Sequence, residues 1–163
     1  MQAKPVKQHK WLHQLVGNWV YETEVSMKAG EPPKKFKGKE SVSSMGGLWV
    51  MAAGSGEMPG GGKATMLMTI GYDPAKKKFV GSWVGSMMHN MWVYEGELKG
   101  KVLTLSTVGP SWTKEGKVQK GKSAKYRDVI TMVGKDKRRL DSFLQGPGGK
   151  WVPMMTALYT RKK

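Results

Sequence analysis

The sequence contains no cysteine among its 163 residues. Disulfide bonds, thiolate metal sites and a cysteine nucleophile are therefore excluded. A chain of this length can bury enough surface to fold without cross-links, so we predict a single domain over residues 1–163.

Long apolar runs are also missing. No stretch is long enough to span a bilayer, and residues 1–10 are polar and basic, unlike the apolar core of a signal peptide. These absences predict a cytoplasmic protein that does not insert into a membrane.

Acidic residues are scarce, with 12 Asp and Glu against 28 Lys and Arg and a formal net charge of +16. Such a field attracts nucleic acid and other polyanions. The basic residues cluster around 34–37, 76–78, 135–139 and 161–163, mostly at predicted turns, which favours a solvated surface. Nucleic acid is therefore not an expected partner, although a basic polyanion-binding protein stays as an alternative function, one that strong salt dependence would support.

Sequence signatures of catalysis are few. There is no Gly-x-Ser-x-Gly elbow, and the glycine-rich segment 59–63 lacks the spacing of a phosphate-binding loop. His9 and His13 lie four residues apart on a predicted helix, but no carboxylate follows closely, so we predict two exposed histidines rather than a metal site. No catalytic residue, metal or cofactor is predicted, and an enzyme acting at Tyr126 and Asp128 is an alternative that nothing else motivates.

What the chain has in abundance is glycine, 22 residues of it, much of it at turn signals between runs rich in Val, Thr, Trp, Tyr and Met. Segments of this kind are typical of short strands. We predict ten strands, at 18–27, 34–45, 48–58, 64–72, 78–86, 90–98, 102–108, 123–134, 138–145 and 151–161.

Several of these segments alternate with period two, which assigns faces. In the first, Trp19 and Tyr21 share a face with Thr23 and Val25. In the last, Met155, Ala157 and Tyr159 share a face opposite Met154, Thr156 and Leu158. Short connections favour an up-and-down meander, and closing it removes the exposed edges. The predicted fold is an all-β, closed antiparallel barrel of about ten strands.

Two segments depart from the strand pattern. Residues 5–16 place Trp11 and Leu15 at helical spacing before Gly17, which predicts a short N-terminal helix docked through that stripe on one end of the barrel. Residues 109–122 are polar and rich in glycine and lysine, and we predict a mobile loop with Trp112 as its one bulky apolar anchor.

The longer sequence phrases carry a resemblance. They are HKWL at 9–12, LVGNW at 15–19, GGLWV at 46–50, GYDP at 71–74, FVG at 79–81, GSMM at 85–88, WVYEG at 92–96 and YRDVI at 126–130. Together they resemble a bacterial family of uncharacterised proteins in the lipocalin-like (calycin) superfamily. The resemblance implies a closed barrel in which Arg161 of the last strand packs across Trp19 of the first, a contact worth about 0.5–2 kcal/mol. It implies no particular activity.

The densest group of aromatic and methionine residues lies on a predicted strand–turn–strand at 83–94. Methionine is adaptable and polarisable, which suits a pocket for apolar ligands, although ordinary core packing explains such residues equally well. A barrel of eight or more strands has room inside for a small ligand. The residues predicted to line a binding site are Tyr21, Trp83, Met87, Met88, His89, Trp92, Tyr126, Met155 and Tyr159.

The predicted function is therefore the binding of a small hydrophobic or amphipathic ligand inside the barrel. A haem-binding barrel that uses His89 is a further alternative. Tyr126 and Asp128 share a strand face and can either bind a polar ligand group or form a structural hydrogen bond. The sequence leaves open whether Trp83 or Trp92 points inward, and whether the protein forms a homodimer.

Overall fold

The computed structural model describes residues 2–26 and 30–163, so the predicted end of the first strand at residue 27 lies outside the described residues. Within these residues, ten strands follow one α-helix. They are β1 (Gly17–Val25), β2 (Lys34–Met45), β3 (Trp49–Glu57), β4 (Lys63–Asp73), β5 (Lys78–Gly85), β6 (Trp92–Lys99), β7 (Val102–Trp112), β8 (Val118–Gly134), β9 (Lys137–Gln145) and β10 (Trp151–Arg161).

The strands form a closed barrel in chain order, and β1 pairs with β10 to complete it. All neighbouring pairs are antiparallel. The predicted closed meander is thus confirmed. Its physical basis is the short connections between amphipathic strands, which leave an open sheet with two unpaired edges unless the ends meet.

The N-terminal helix α1 spans only Lys7–Leu12, and a 3-10 turn, His13–Leu15, follows it. The prediction of one helix over 5–16 was therefore too long. Val16 is already extended and Gly17 has a φ of 133°, a conformation that favours glycine. The chain must unwind at this point because Gly17 is the first residue of β1.

The helix and the turn after it do dock on one end of the barrel, but their deepest residues are His9, Leu12 and Leu15, while Trp11 is only half-buried against Phe79. His9, predicted to be exposed, is 4% exposed. Its Nδ1 accepts the Val6 backbone N–H at 3.0 Å, so Nε2 carries the proton and donates to the Tyr72 carbonyl at 3.1 Å. His9 is therefore a structural residue, whereas His13 is exposed as predicted.

The prediction of a mobile loop at 109–122 is wrong. β7 and β8 stay paired beyond Gly109↔Ala124 and Pro110↔Ser123, and the turn between the two strands covers only 113–117. The pairing shifts register between Pro110 and Trp112, where the proline lacks a backbone N–H to donate. Glycine and lysine are rare in strands, so the composition of this segment obscured its pairing.

Barrel closure follows the predicted contact. Trp19 pairs in register with Arg161, whose guanidinium carbon lies 4.2 Å from the indole centroid. The indole Nε1–H donates to the Leu15 carbonyl at 2.8 Å, which ties the helix turn to the strand. Arg161 donates to the backbone carbonyls of Val16, Gln14 and Lys135. It also forms an ion pair with the carboxylate of Asp136. One guanidinium therefore joins the first strand, the helix junction and the β8–β9 turn.

A glycine on β5 marks a close approach between strands. A Cβ on Gly81 would lie 2.1 Å from the Thr69 carbonyl oxygen of β4, a backbone atom that cannot swing aside. We expect Gly81→Ala to lower the free energy of unfolding by about 1–3 kcal/mol. Gly54→Ala is the matched control, because a Cβ there meets nothing closer than 3.6 Å. The control should change stability by less than about 1 kcal/mol. Urea unfolding followed by circular dichroism measures both, and equal midpoints would contradict the close approach.

Candidate functional site in the barrel cavity

The barrel encloses a cavity of about 580 Å³. Helix α1 packs against β3 and β4 and covers one end of the barrel. At the other end the cavity is bordered by Pro59, Met87, Trp112 and Met154, all of them exposed to solvent. The volume lies within the range usual for small-molecule sites, and in the described part of the chain this end of the cavity opens to solvent.

The walls of the cavity are mostly apolar. Trp83 and Trp92 are direct cross-strand partners, so both face inward, which settles the alternative that the sequence left open. The Trp92 ring meets Tyr126 edge-on with centroids 4.8 Å apart, and its Nε1–H donates to Met88 Sδ at 3.0 Å. The adjoining strand β4 adds Met66 and Met68, and β10 adds Met155.

Most of the predicted ligand-binding residues line this cavity: Tyr21, Trp83, Met87, Met88, Trp92, Tyr126, Met155 and Tyr159. His89 does not. It is exposed on the connection between β5 and β6, where the chain has left the strand and side chains no longer alternate between inside and outside. Among the described residues no histidine lines the cavity. The structure therefore gives no support to a haem site built on His89.

A first group of polar residues lies on the wall formed by β6, β8 and β9. Tyr94 Oη and Ser142 Oγ each donate a 2.6 Å hydrogen bond to Asp128, one to each carboxylate oxygen. Burial raises the pKa of Asp128, and the bonds from Ser142 and Tyr94 only partly oppose it. Burial and the nearby Asp128 raise the pKa of Tyr94, which stays a neutral donor.

Tyr126 and Asp128 share the inner face, as the alternation predicted, but they are not bonded to each other. Tyr126 donates to the Pro110 carbonyl, and the partners of Asp128 are Tyr94 and Ser142. Arg127 points outward and lies over Trp151, with 3.9 Å between its guanidinium carbon and the ring centroid.

A second polar group lies nearer the helix-covered end. Arg138 forms an ion pair with Glu40, and the two side chains are only 6% and 14% exposed. The Arg138 guanidinium carbon is 3.9 Å from the Tyr159 centroid and 4.7 Å from that of Trp19. Burial and Glu40 raise the pKa of Tyr159 while Arg138 opposes them. The indole of Trp19 is thus in contact with two guanidinium groups.

Sequence reasoning missed Glu40 and Arg138. Alternation on β9 places Arg138 on the same face as Leu140 and Ser142, and that signal was present in the sequence. It was overlooked because Arg138 sits within a cluster of basic residues that predicted a solvated turn.

Two buried polar atoms in the cavity lining have no hydrogen-bond partner among the residues that the structure describes, Thr107 Oγ1 and Arg138 Nε. Buried polar atoms in folded proteins are rarely left unpaired. Both atoms belong to residues that line the cavity, which makes them candidate partners for a polar group of a ligand. Within residues 2–26 and 30–163 no three acidic or histidine side chains are grouped so as to hold a metal ion, and no helix is long and apolar enough to cross a membrane.

Comparison with known proteins agrees with the sequence phrases. A family model described as "Protein of unknown function (DUF1579)" matches residues 4–161, and the chain belongs to that family. This confirms the resemblance to an uncharacterised family with a β-barrel fold. A search of the curated proteins finds no match.

Solved structures with the same architecture include three barrels of low sequence identity. Rv2717c from M. tuberculosis has a TM-score of 0.61 at 10% identity, with 98% of this chain and 100% of that chain covered. The S-type phycobiliprotein lyase CPES from Guillardia theta has a TM-score of 0.56 at 11% identity, with 97% of this chain and 94% of that chain covered. EF1p2_mFAP2b bound to DFHBI has a TM-score of 0.52 at 10% identity, with 94% of this chain and 98% of that chain covered. At these identities the likeness shows the fold alone.

Proposed function

We propose that this member of the DUF1579 family binds a small amphipathic molecule inside its barrel. The observation that carries the proposal is the cavity of about 580 Å³, whose apolar walls surround a few convergent polar groups. Large apolar pockets with a small number of placed polar groups are the usual form of a small-molecule site.

The distribution of side chains supports an amphipathic rather than a purely apolar ligand. Near the open end the walls are formed by Trp83, Trp92 and methionines, which can adapt to a range of apolar shapes. Deeper in the cavity are Asp128 and the unpartnered hydroxyl of Thr107. A ligand with an apolar body and one polar group satisfies both regions, whereas a hydrocarbon would leave the buried hydroxyl unpaired.

Two of the compared barrels add support. One was solved bound to DFHBI, and another is a phycobiliprotein lyase. They support the idea that a barrel of this architecture can serve a small molecule, and they say nothing about which molecule this chain takes.

Filling the cavity tests the proposal. Ala52 lines the cavity, and its neighbour Ala53 is exposed on the outer face of the same strand. We expect Ala52→Phe to weaken the binding of N-phenyl-1-naphthylamine, a neutral fluorescent reporter, by about ten-fold or more, because the ring occupies the space that the reporter needs. Ala53→Phe adds the same ring outside the barrel and should leave the affinity unchanged.

Fluorescence titration measures both affinities, and circular dichroism checks that each variant is folded. The proposal fails if the wild-type protein does not bind the reporter or any amphiphile of the panel described below. It also fails if the two phenylalanine variants bind the reporter equally well.

A further inference from the structure

We infer that the polar group of the ligand is a positively charged hydrogen-bond donor, such as an ammonium group, held by Asp128 and Thr107. The inference rests on the proposed function and names the ligand class for the same cavity. Three observations carry it: the charge balance of the cavity, the unused acceptors of Asp128, and the unpartnered hydroxyl of Thr107.

Among the described residues, the acidic and basic side chains that line the cavity inside its mouth are Glu40, Asp128 and Arg138. Arg138 is paired with Glu40. Asp128 receives hydrogen bonds only from the neutral hydroxyls of Tyr94 and Ser142 among the described residues. Glu57 adds a further carboxylate at the mouth. The cavity lining thus holds three carboxyl groups and one guanidinium, although the protein as a whole carries +16.

The carboxylate of Asp128 has acceptor capacity to spare. A carboxylate offers about four lone-pair sites, and Tyr94 and Ser142 use one on each oxygen. The side chain nonetheless lines the cavity, so its remaining acceptors are open to a ligand. An ammonium group has donors only, whereas a carboxylate or phosphate has mainly acceptors and would meet Asp128 with repulsion that is strong in a medium of low dielectric.

Thr107 supplies the second contact. On β7, Leu105 pairs directly with Asp128. Thr107 is the next inward residue after Leu105 and pairs with Tyr126. Thr107 is 8% exposed, and its Oγ1 has no partner within the described part of the chain. One ammonium group placed between them can donate to Asp128 and to the Thr107 hydroxyl. The hydroxyl oxygen then has a hydrogen-bond partner, and the carboxylate has a counter-charge.

The direction in which the pKa of Asp128 is shifted agrees with this geometry. Burial raises the pKa of Asp128 because the carboxylate has lost water and gained no cation. Tyr94 and Ser142 bind its carboxyl group from β6 and β9, and Thr107 lies diagonally from it across the β7–β8 pairing. Glu40 and Arg138 compensate each other. A bound cation would supply the missing counter-charge.

Arg138 is the rival anchor, because an anionic ligand could bind its free Nε. Its charge is already matched by Glu40, however, and its guanidinium group also lies against the rings of Tyr159 and Trp19. An anion would have to compete with Glu40 at short range. An anionic ligand is accordingly the outcome that would overturn the inference.

The test compares three amphiphiles that share one alkyl chain: decylamine, decanol and decanoate. Each amphiphile is titrated against N-phenyl-1-naphthylamine in the presence of the wild-type protein, and displacement of this reporter is measured. The titration is done at neutral pH, where an alkylamine is protonated. Salt at about 150 mM screens attraction to the basic outer surface. We expect decylamine to bind about ten-fold more tightly than decanol, and decanoate to bind most weakly.

Variants assign the preference to residues. Asp128→Asn should weaken the binding of decylamine by about ten-fold and change the affinity for decanol by no more than about two-fold. The amide can accept from one hydroxyl and donate to the other, so the hydrogen-bond network survives. Glu95→Gln is the control, since it removes the same charge from an exposed position next to Tyr94. Thr107→Val removes the unpartnered hydroxyl and should weaken decylamine more than decanol.

The possible outcomes separate the two proposals. If decanoate binds more tightly than decylamine, the inference is overturned while the ligand-binding barrel stands. If none of the three amphiphiles displaces the reporter and the reporter itself does not bind, the proposed function fails. A decylamine preference that Asp128→Asn and Glu95→Gln reduce equally would overturn the assignment to Asp128. Should Asp128→Asn fail to fold, the wild-type ranking and Thr107→Val still decide.

Discussion

Trp19→Ala is expected to lower the free energy of unfolding by about 3–5 kcal/mol, a large share of the stability of a domain of this size. The indole is 1% exposed, so its loss opens a large void where the helix meets the barrel. It also removes the bond from Nε1–H to the Leu15 carbonyl and the surface on which two guanidinium groups lie.

Arg161→Ala should cost less, about 1–3 kcal/mol, through lost stacking and unsatisfied carbonyls. Because Trp19 and Arg161 are in contact, the two changes should not be additive. Urea unfolding followed by far-ultraviolet circular dichroism measures the double-mutant cycle. Trp49→Ala is the control, since this tryptophan is exposed on the outer face, and it should cost about 1 kcal/mol. A coupling energy of zero would mean that the contact does not help to close the barrel.

The second large effect is expected at Arg138. Arg138→Met leaves the Glu40 carboxylate buried without its partner, and breaking a buried ion pair in this way costs about 3–5 kcal/mol. Removing both charges with Glu40→Gln and Arg138→Met should recover much of that loss, because the desolvation cost disappears with the charge. The same unfolding experiment compares the single and the double variant.

Arg139→Met is the matched control for this prediction. Arg139 is the next residue on β9, but its side chain is 50% exposed and pairs with Asp141 on the outer face. Exposed pairs contribute about 0–1 kcal/mol, so this variant should stay close to the wild type. If Arg138→Met and Arg139→Met prove equally mild, Glu40 is not left with an uncompensated charge, and the ion pair is not the buried contact described above.

The fold was predictable because its signals are local. Alternation with period two and turn residues at short intervals define the strands, and closure follows from the need to pair two edges. The same alternation grouped Tyr21 with Trp19 on one face of β1 and Met155 with Tyr159 on one face of β10, and Tyr21, Met155 and Tyr159 all line the cavity. The Trp19–Arg161 contact was inferred from the resemblance, and the register of β1 and β10 confirms it.

The errors occurred where local composition and tertiary environment disagree. The segment 109–122 reads as a loop because glycine and lysine disfavour strands, yet most of it pairs once β7 and β8 are brought together. His9 reads as a surface helix residue, yet it is buried, and the Tyr72 carbonyl at the end of β4 accepts a hydrogen bond from its Nε2–H. His89 reads as part of a strand–turn–strand cluster, and it lies on the turn.

The sequence by itself determined the class of fold, the order of the strands and the alternation of inner and outer faces, because each depends on neighbours a few residues apart. Only the tertiary structure decided which polar residues meet inside. Glu40 and Arg138 are 98 residues apart in the chain, and Tyr94 and Asp128 are 34 apart. A one-dimensional pattern records that a side chain points inward, but the barrel's register decides what it meets there, and those meetings define the candidate site.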